Sequence, residues 1–142
     1  MVTMGLKLRP ELSKKNKYWI DKNRFYELKY FCLQYPLWKK AYMLLDGFKA
    51  YSYDLSGVSG SGSPSDPIGD CIEERSIYFE RMQLIEETAR ETDPYLASYI
   101  LKAVTEGLSF TYLQSILEIP CSRDTYYDRY RKFFWILNKR RD

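Results

Sequence analysis

Apolar side chains recur along this chain at steps of three and four, and nowhere alternate over a strand's length, so the pattern predicts an all-α fold. Asp21 is placed to cap a first helix in which Phe25, Leu28, Phe31 or Cys32, and Tyr35 fall at helical spacing. Tyr35-Pro36 closes it, because a residue before proline is pushed out of the α region. Pro36 suits the first position of a second helix, with Leu37, Trp38, Ala41, Met43, Leu44 and Leu45 as its apolar stripe and Asp46-Gly47 as its stop. Residues 1–20 then read as a basic arm, anchored through Tyr18, Trp19 and Ile20, and residues 21–49 as a helical hairpin.

Glycines and serines alternate from Ser56 to Ser65, which makes residues 50–65 a flexible linker by composition. Its ten densest residues would hold their ends about 16–19 Å apart on average. A phosphate-cradling loop would need a flanking strand and usually a lysine, and neither is present. Asp66-Pro67 opens a long acidic helix over 66–92, with Ile72, Phe79, Met82, Ile85 and Ala89 mostly on one face. Asp93-Pro94 repeats the start signal for a helix with Leu96, Ile100, Ala103 and Val104 inward, ended by Gly107. Ser109 caps a short helix containing Tyr112, Leu113, Ile116 and Leu117. Pro120 breaks it, and Cys121 or Ser122 caps a last helix that runs uninterrupted onward.

Charge divides the chain into blocks. The balance is +7 over residues 1–49, −7 over 50–93 and +3 over 94–142. The two basic blocks can neutralise phosphates, whereas the acidic one is unsuited to them. Histidine is absent, which removes the commonest general base near neutral pH. Cys32, Cys71 and Cys121 lack the paired spacing of a structural zinc site, so neither a metal nor a cofactor is expected. Adjacent carboxylates such as Glu73-Glu74 and Glu86-Glu87 diverge by about 100° on a helix and cannot share a metal. Cys121 at a helix start would have its pKa lowered by the dipole, yet without histidine it reads as a capping or packing residue. The expectation is a non-enzymatic protein. No apolar run is long enough for a membrane span, and the first residues lack a signal peptide's apolar stretch, so a cytoplasmic location is expected.

Residues 93–142 have the order of a helix-turn-helix: short helix, turn at Glu118-Ile119-Pro120-Cys121, basic aromatic helix. Leu113, Leu117, Ile119, Tyr126, Tyr130, Phe133 and Leu137 supply its inner contacts. The groove-facing positions are then Ser122, Arg123, Thr125, Tyr127 and Asp128. Arg129, Arg131, Lys132, Lys139, Arg140 and Arg141 lie closer to the phosphates. Asp124 and Asp128 interrupt this face and would repel phosphate unless paired with Arg123, Arg129 or Arg131. A second cationic surface comes from Lys14, Lys15, Lys17, Lys22, Arg24 and Lys29, interleaved with Tyr18, Trp19, Phe25, Tyr26 and Tyr30.

The stretch YLASYILKAVTEGLSFTYLQSILEIPCSRDTYYDRYRKFFWIL resembles the C-terminal motif of small phage regulators of the RinA/ArpU-like group, itself similar to region 4 of sigma factors. Ile100, Gly107, Leu108, Ser109, Phe110, Leu113, Ile119 and Tyr127 carry the likeness. Ser65-Asp66-Pro67 before a long acidic helix extends it over roughly the last 78 residues. The N-terminal block resembles proteins of prophages and mobile elements of Clostridia-like bacteria. The resemblance implies a sequence-specific DNA-binding regulator of phage or mobile-element origin. Double-stranded DNA is the expected partner; a second copy of the chain, forming a dimer, and a protein such as RNA polymerase or a CRISPR effector are further candidates. Two rival readings fit the same blocks: an anti-CRISPR-type inhibitor of a nucleic-acid-guided nuclease, and a small DNA-packaging (terminase) subunit.

Overall fold

A computed structural model describes the backbone of residues 15–55 and 67–141, and the side chains of 15–45 and 72–141. The first part of the arm, including Lys14, and the Gly/Ser stretch from Ser56 through Asp66 lie outside the described residues. Among the described residues every regular element is helical: α1 (Lys22–Leu33), α2 (Tyr35–Leu55), α3 (Pro67–Thr92), α4 (Ala97–Glu106), α5 (Phe110–Ser115) and α6 (Arg123–Arg141). The chain divides into two compact units, one of Met1–Gln34 with Leu84–Asp142, the other of Tyr35–Gln83. The division falls between α1 and α2 and inside the long acidic helix α3.

In the first unit, α1 packs against both α4 and α6. Its start is set by Asp21, whose carboxylate accepts from the Asn23 N–H at 3.0 Å. Phe25, Leu28, Phe31 and Cys32 recur every three or four residues and are buried together with Ile85, Ala89, Ile100, Ala103, Val104, Leu113, Phe133, Phe134 and Leu137. Phe25 stands edge-on to Phe134 at 5.1 Å, and Phe134 in turn to Tyr130 and Phe133. This ring cluster fastens α1 to α6. Thr88, Thr92 and Thr105 are buried without an unmet polar group, since each hydroxyl donates to the carbonyl four residues earlier at 2.7 Å. Helix α4 ends as expected at Gly107, which takes a φ of 70°, while the Leu108 N–H closes back on the Ala103 carbonyl at 3.1 Å. The expected anchoring of the arm also holds: Ile20 is buried and Tyr18 meets α6.

In the second unit, Trp38 of α2 and Met82 of α3 are buried, and Tyr42 packs beside Phe79 at 6.0 Å. Arg75 lies over the Tyr42 ring and Arg81 over Trp38. Three expectations are corrected here. Helix α2 does not stop at Asp46-Gly47 but continues to Leu55, taking in the first residues assigned to the linker. A single helical glycine costs only about 1 kcal/mol against alanine, too little to end a helix unaided. The stripe of α2 is also not all inward. Leu37, Met43 and Leu44 are exposed, because they lie around the axis from Trp38 and Tyr42. Likewise Ile72 and Phe79 of α3 remain exposed while Met82, Ile85 and Ala89 are buried.

Candidate nucleic-acid interface

The link from α5 to α6 is built by local hydrogen bonds. Ser109 caps α5, its hydroxyl accepting from the Tyr112 N–H at 3.1 Å. The N–H groups of Ile116 and Leu117 both return to the Tyr112 carbonyl, so helical bonding persists past Ser115 and the turn itself is confined to about four residues. Glu118 there adopts a φ of 54°. Ile119 then turns inward, buried, with its N–H on the Leu113 carbonyl at 2.9 Å. Ser122, not Cys121, caps α6: its oxygen accepts from the Thr125 N–H at 3.2 Å and its hydroxyl donates to Thr125 Oγ1 at 3.0 Å. Phe110 of α5 packs on Tyr126 and Tyr127 of α6, with centroids 5.5 and 6.3 Å apart.

A left-handed backbone costs an L-residue roughly 1–2 kcal/mol, and Glu118 bears that strain. Replacement by glycine relieves it, offset in part by about 0.5–1 kcal/mol of added freedom in the unfolded chain. Glu118→Gly is therefore expected to raise the denaturant midpoint by a net gain of about 0.5–1 kcal/mol with an unchanged slope.

The structure sorts the cationic residues into distinct settings. At the start of α6, Ser122 and Arg123 are exposed, and the Arg123 guanidinium lies over the Phe110 ring at 5.0 Å. Thr125 and Tyr127 are half-buried beside them. Burial pushes the Tyr127 hydroxyl pKa up, an effect that Arg123 opposes. Arg129 is committed inward: its Nε donates to Asp93 at 2.9 Å and its terminal nitrogen to Asp128. Thus Asp128, expected to repel phosphate unless paired, is paired, while Arg129 is a strut rather than a free cation. At the far end of α6, Arg140 binds Glu91 and Glu87, and Arg141 lies over Phe31 at 4.0 Å and 3.9 Å from Glu27. Arg24 joins them, its Nε donating to Asn138 Oδ1 at 2.6 Å and its head pairing with Glu27 at 2.8 Å. Hydrogen bonding and charge from Arg24 hold the Glu27 carboxyl below its ordinary value. Lys22 is exposed on the first residue of α1. Arg131 and Lys132 are half-buried and Lys15, Lys17 and Lys139 exposed; Lys17 and Lys139 lie over the rings of Tyr18 and Trp135, which meet edge to face.

Asp93 and Trp135 do more than their sequence neighbourhoods indicate. The expected helix start at Asp93-Pro94 is corrected: α4 begins at Ala97, after Leu96, which makes no side-chain cap, and Asp93 folds the turn before it. Its carboxylate accepts from the N–H groups of Tyr95 and Leu96 at 2.9 and 3.2 Å, and it also holds Arg129. Trp135 does carry a sequence signal of its own, sitting between Arg131-Lys132 and Lys139 at steps of four, three and four on the outward side of α6. Cys121 is a correction. Its thiol pKa is raised by burial and by the Asp93 charge, against the pull of Arg129, rather than lowered by the helix.

Burial would raise the Asp93 pKa, yet the bonds from Arg129, Leu96 and Tyr95 hold it below the ordinary value. A depressed folded pKa gives stability that is complete above the unfolded value, near 3.9, and is lost as pH falls through the folded one. Asp93→Asn keeps the turn's acceptor and loses the charge. It is expected to cost about 1–2 kcal/mol at neutral pH, less than a fully buried pair because Arg129 retains contact with water. Unfolding curves below about pH 4 should then show the variant losing less further stability than the native chain.

Among the described residues no group of His, Cys, Asp or Glu is arranged to hold a metal ion, and no helix is long and apolar enough to cross a membrane. No protein-family model, no curated protein and no solved structure matches the chain.

Proposed function

We propose that the chain is a non-catalytic, sequence-specific binder of double-stranded DNA, acting as a regulator of the phage or mobile-element type, with the first turns of α6 as its reading element. The observation that carries this reading is the open start of α6. Ser122 caps it, Arg123 is exposed on it, and the buried Leu113, Ile119 and Tyr126 hold α5 behind it. A short helix, a tight turn with a left-handed residue and a longer helix with a polar, cationic start suit major-groove entry. Arg123 is the base-reading candidate, since guanidinium can pair with guanine through two hydrogen bonds. Ser122, Thr125 and Tyr127 contact phosphates nearby, Arg131 and Lys132 follow one to two turns on, and Lys22 adds a contact from α1. A homodimer on DNA would present two such turns to half-sites separated by whole helical turns.

Binding of labelled duplex DNA across a salt series tests the electrostatic part of the reading. Arg131, Lys132 and Lys22 are expected to neutralise about three phosphates per chain, for a log–log slope near about −2.7, and a dimer about six, for a slope near −5. A slope near zero would remove phosphate contact from the account.

A further inference from the structure

The outward side of α6 changes sign along its length. Its first two turns carry Asp124 and Asp128, and the later turns carry Arg131, Lys132 and Lys139 around Trp135. Residues 15–20 lie against that later half as a short ordered strap. Asn16 folds it, its side-chain oxygen accepting from the Tyr18 N–H at 2.8 Å and its carbonyl from the Trp19 N–H at 3.0 Å. Ile20 is buried at its end, and Tyr18 meets Trp135 edge to face with centroids 5.4 Å apart. Both rings are only half-buried, and both carry a cation. Lys139 Nζ stands 3.3 Å from the Trp135 centroid and Lys17 Nζ 5.0 Å from that of Tyr18. Lys132 stands three residues before Trp135 on α6, and Lys15 is exposed on the strap.

We infer that the Tyr18–Trp135 pair, with Lys17, Lys132 and Lys139, is a binding site for single-stranded nucleic acid, separate from the duplex-reading start of α6. An exposed cation–ring contact is worth about 0.5–1 kcal/mol, whereas a base stacked on an aromatic ring is worth about 1–3 kcal/mol. A strand laid along this face therefore gains by exchange. Its phosphates draw Lys139 and Lys17 off the rings, and an unpaired base takes the indole face that Lys139 leaves. The nearest acid earlier on this side of α6, Asp128, is already bound to Arg129 and does not oppose the strand's charge at full strength. Stacking is blind to base identity, so the site takes DNA or RNA without strong sequence preference.

The test uses a labelled oligothymidylate of about twelve nucleotides, with the matching oligouridylate to separate DNA from RNA. Binding is followed by anisotropy and by tryptophan emission. The native chain is expected to bind at about 50 mM salt with quenching of the emission. Trp135→Leu is expected to weaken binding about 5- to 100-fold, and Trp135→Phe, which keeps a ring, to restore affinity while losing Trp135's share of the quench. Lys132→Ala with Lys139→Ala is expected to lower the log–log salt slope by about 1.4. Circular dichroism checks the fold; should Trp135→Leu fail to fold, the phenylalanine variant and the lysine pair carry the test. No binding of either oligonucleotide, equal affinity in a folded Trp135→Leu chain, or an unchanged slope in the lysine pair would overturn the inference. Arg123→Ala is expected to leave oligothymidylate binding intact, which separates this site from the duplex-reading start of α6 although Lys132 is assigned to both.

Discussion

Phe25→Ala is expected to cost about 3–5 kcal/mol, enough to unfold much of a marginally stable domain. Phe25 is 2% exposed and lies edge-on to Phe134, with Tyr130 and Tyr26 completing its surround. It is one of the groups through which α1 holds α6, beside Arg24 and Phe31, and α1 also packs on α4. The alanine leaves a ring-sized void that these large neighbours can close only by moving, so the loss exceeds simple transfer of the side chain to water. Thermal and denaturant unfolding measure it. A loss below about 1 kcal/mol would mean that α1 is not a structural member of the first unit.

Arg123→Ala is expected to lower affinity for a preferred duplex about 10- to 100-fold and to relax the preference at one or two base pairs. Arg123 is exposed, lying over the face of Phe110 and bonding the hydroxyl of Tyr127, which is half-buried and keeps access to water when the guanidinium is removed. Lys22→Ala should behave differently. A lysine that meets only phosphate weakens every sequence alike and reduces the log–log salt slope by about 0.9. Arg129→Ala, attractive from sequence, cannot serve as a DNA-contact variant. It strips Asp93 and Asp128 of their partner and is expected to act through stability first.

The helical class and most boundaries in the second half of the chain were legible because local chemistry sets them. Ser109, Ser122 and Gly107 each do what their type predicts at a helix end. The inner stripe Tyr126, Phe133 and Leu137 followed from spacing alone. What failed depends on tertiary partners. Leu37, Met43 and Leu44 have the same hydropathy whether or not something covers them, and only the direction of Trp38 tells which face of α2 is inside. Arg129 and Asp93 are far apart in sequence, so their ion pair, and with it the loss of one expected DNA contact, could not be read from either neighbourhood. The sign change along α6 was present in the sequence, but its weight came from Tyr18 arriving beside Trp135.

Selection of duplexes from a randomised pool at about 150 mM salt, with the native chain and Arg123→Ala in parallel, shows whether the start of α6 reads DNA sequence. An enriched site is expected for the native chain, lost or relaxed in the variant, with the half-site spacing of any dimer visible in the same data. Enrichment of nothing, or of the same site with undiminished preference in both chains, would contradict the assignment of the start of α6 as the reading element.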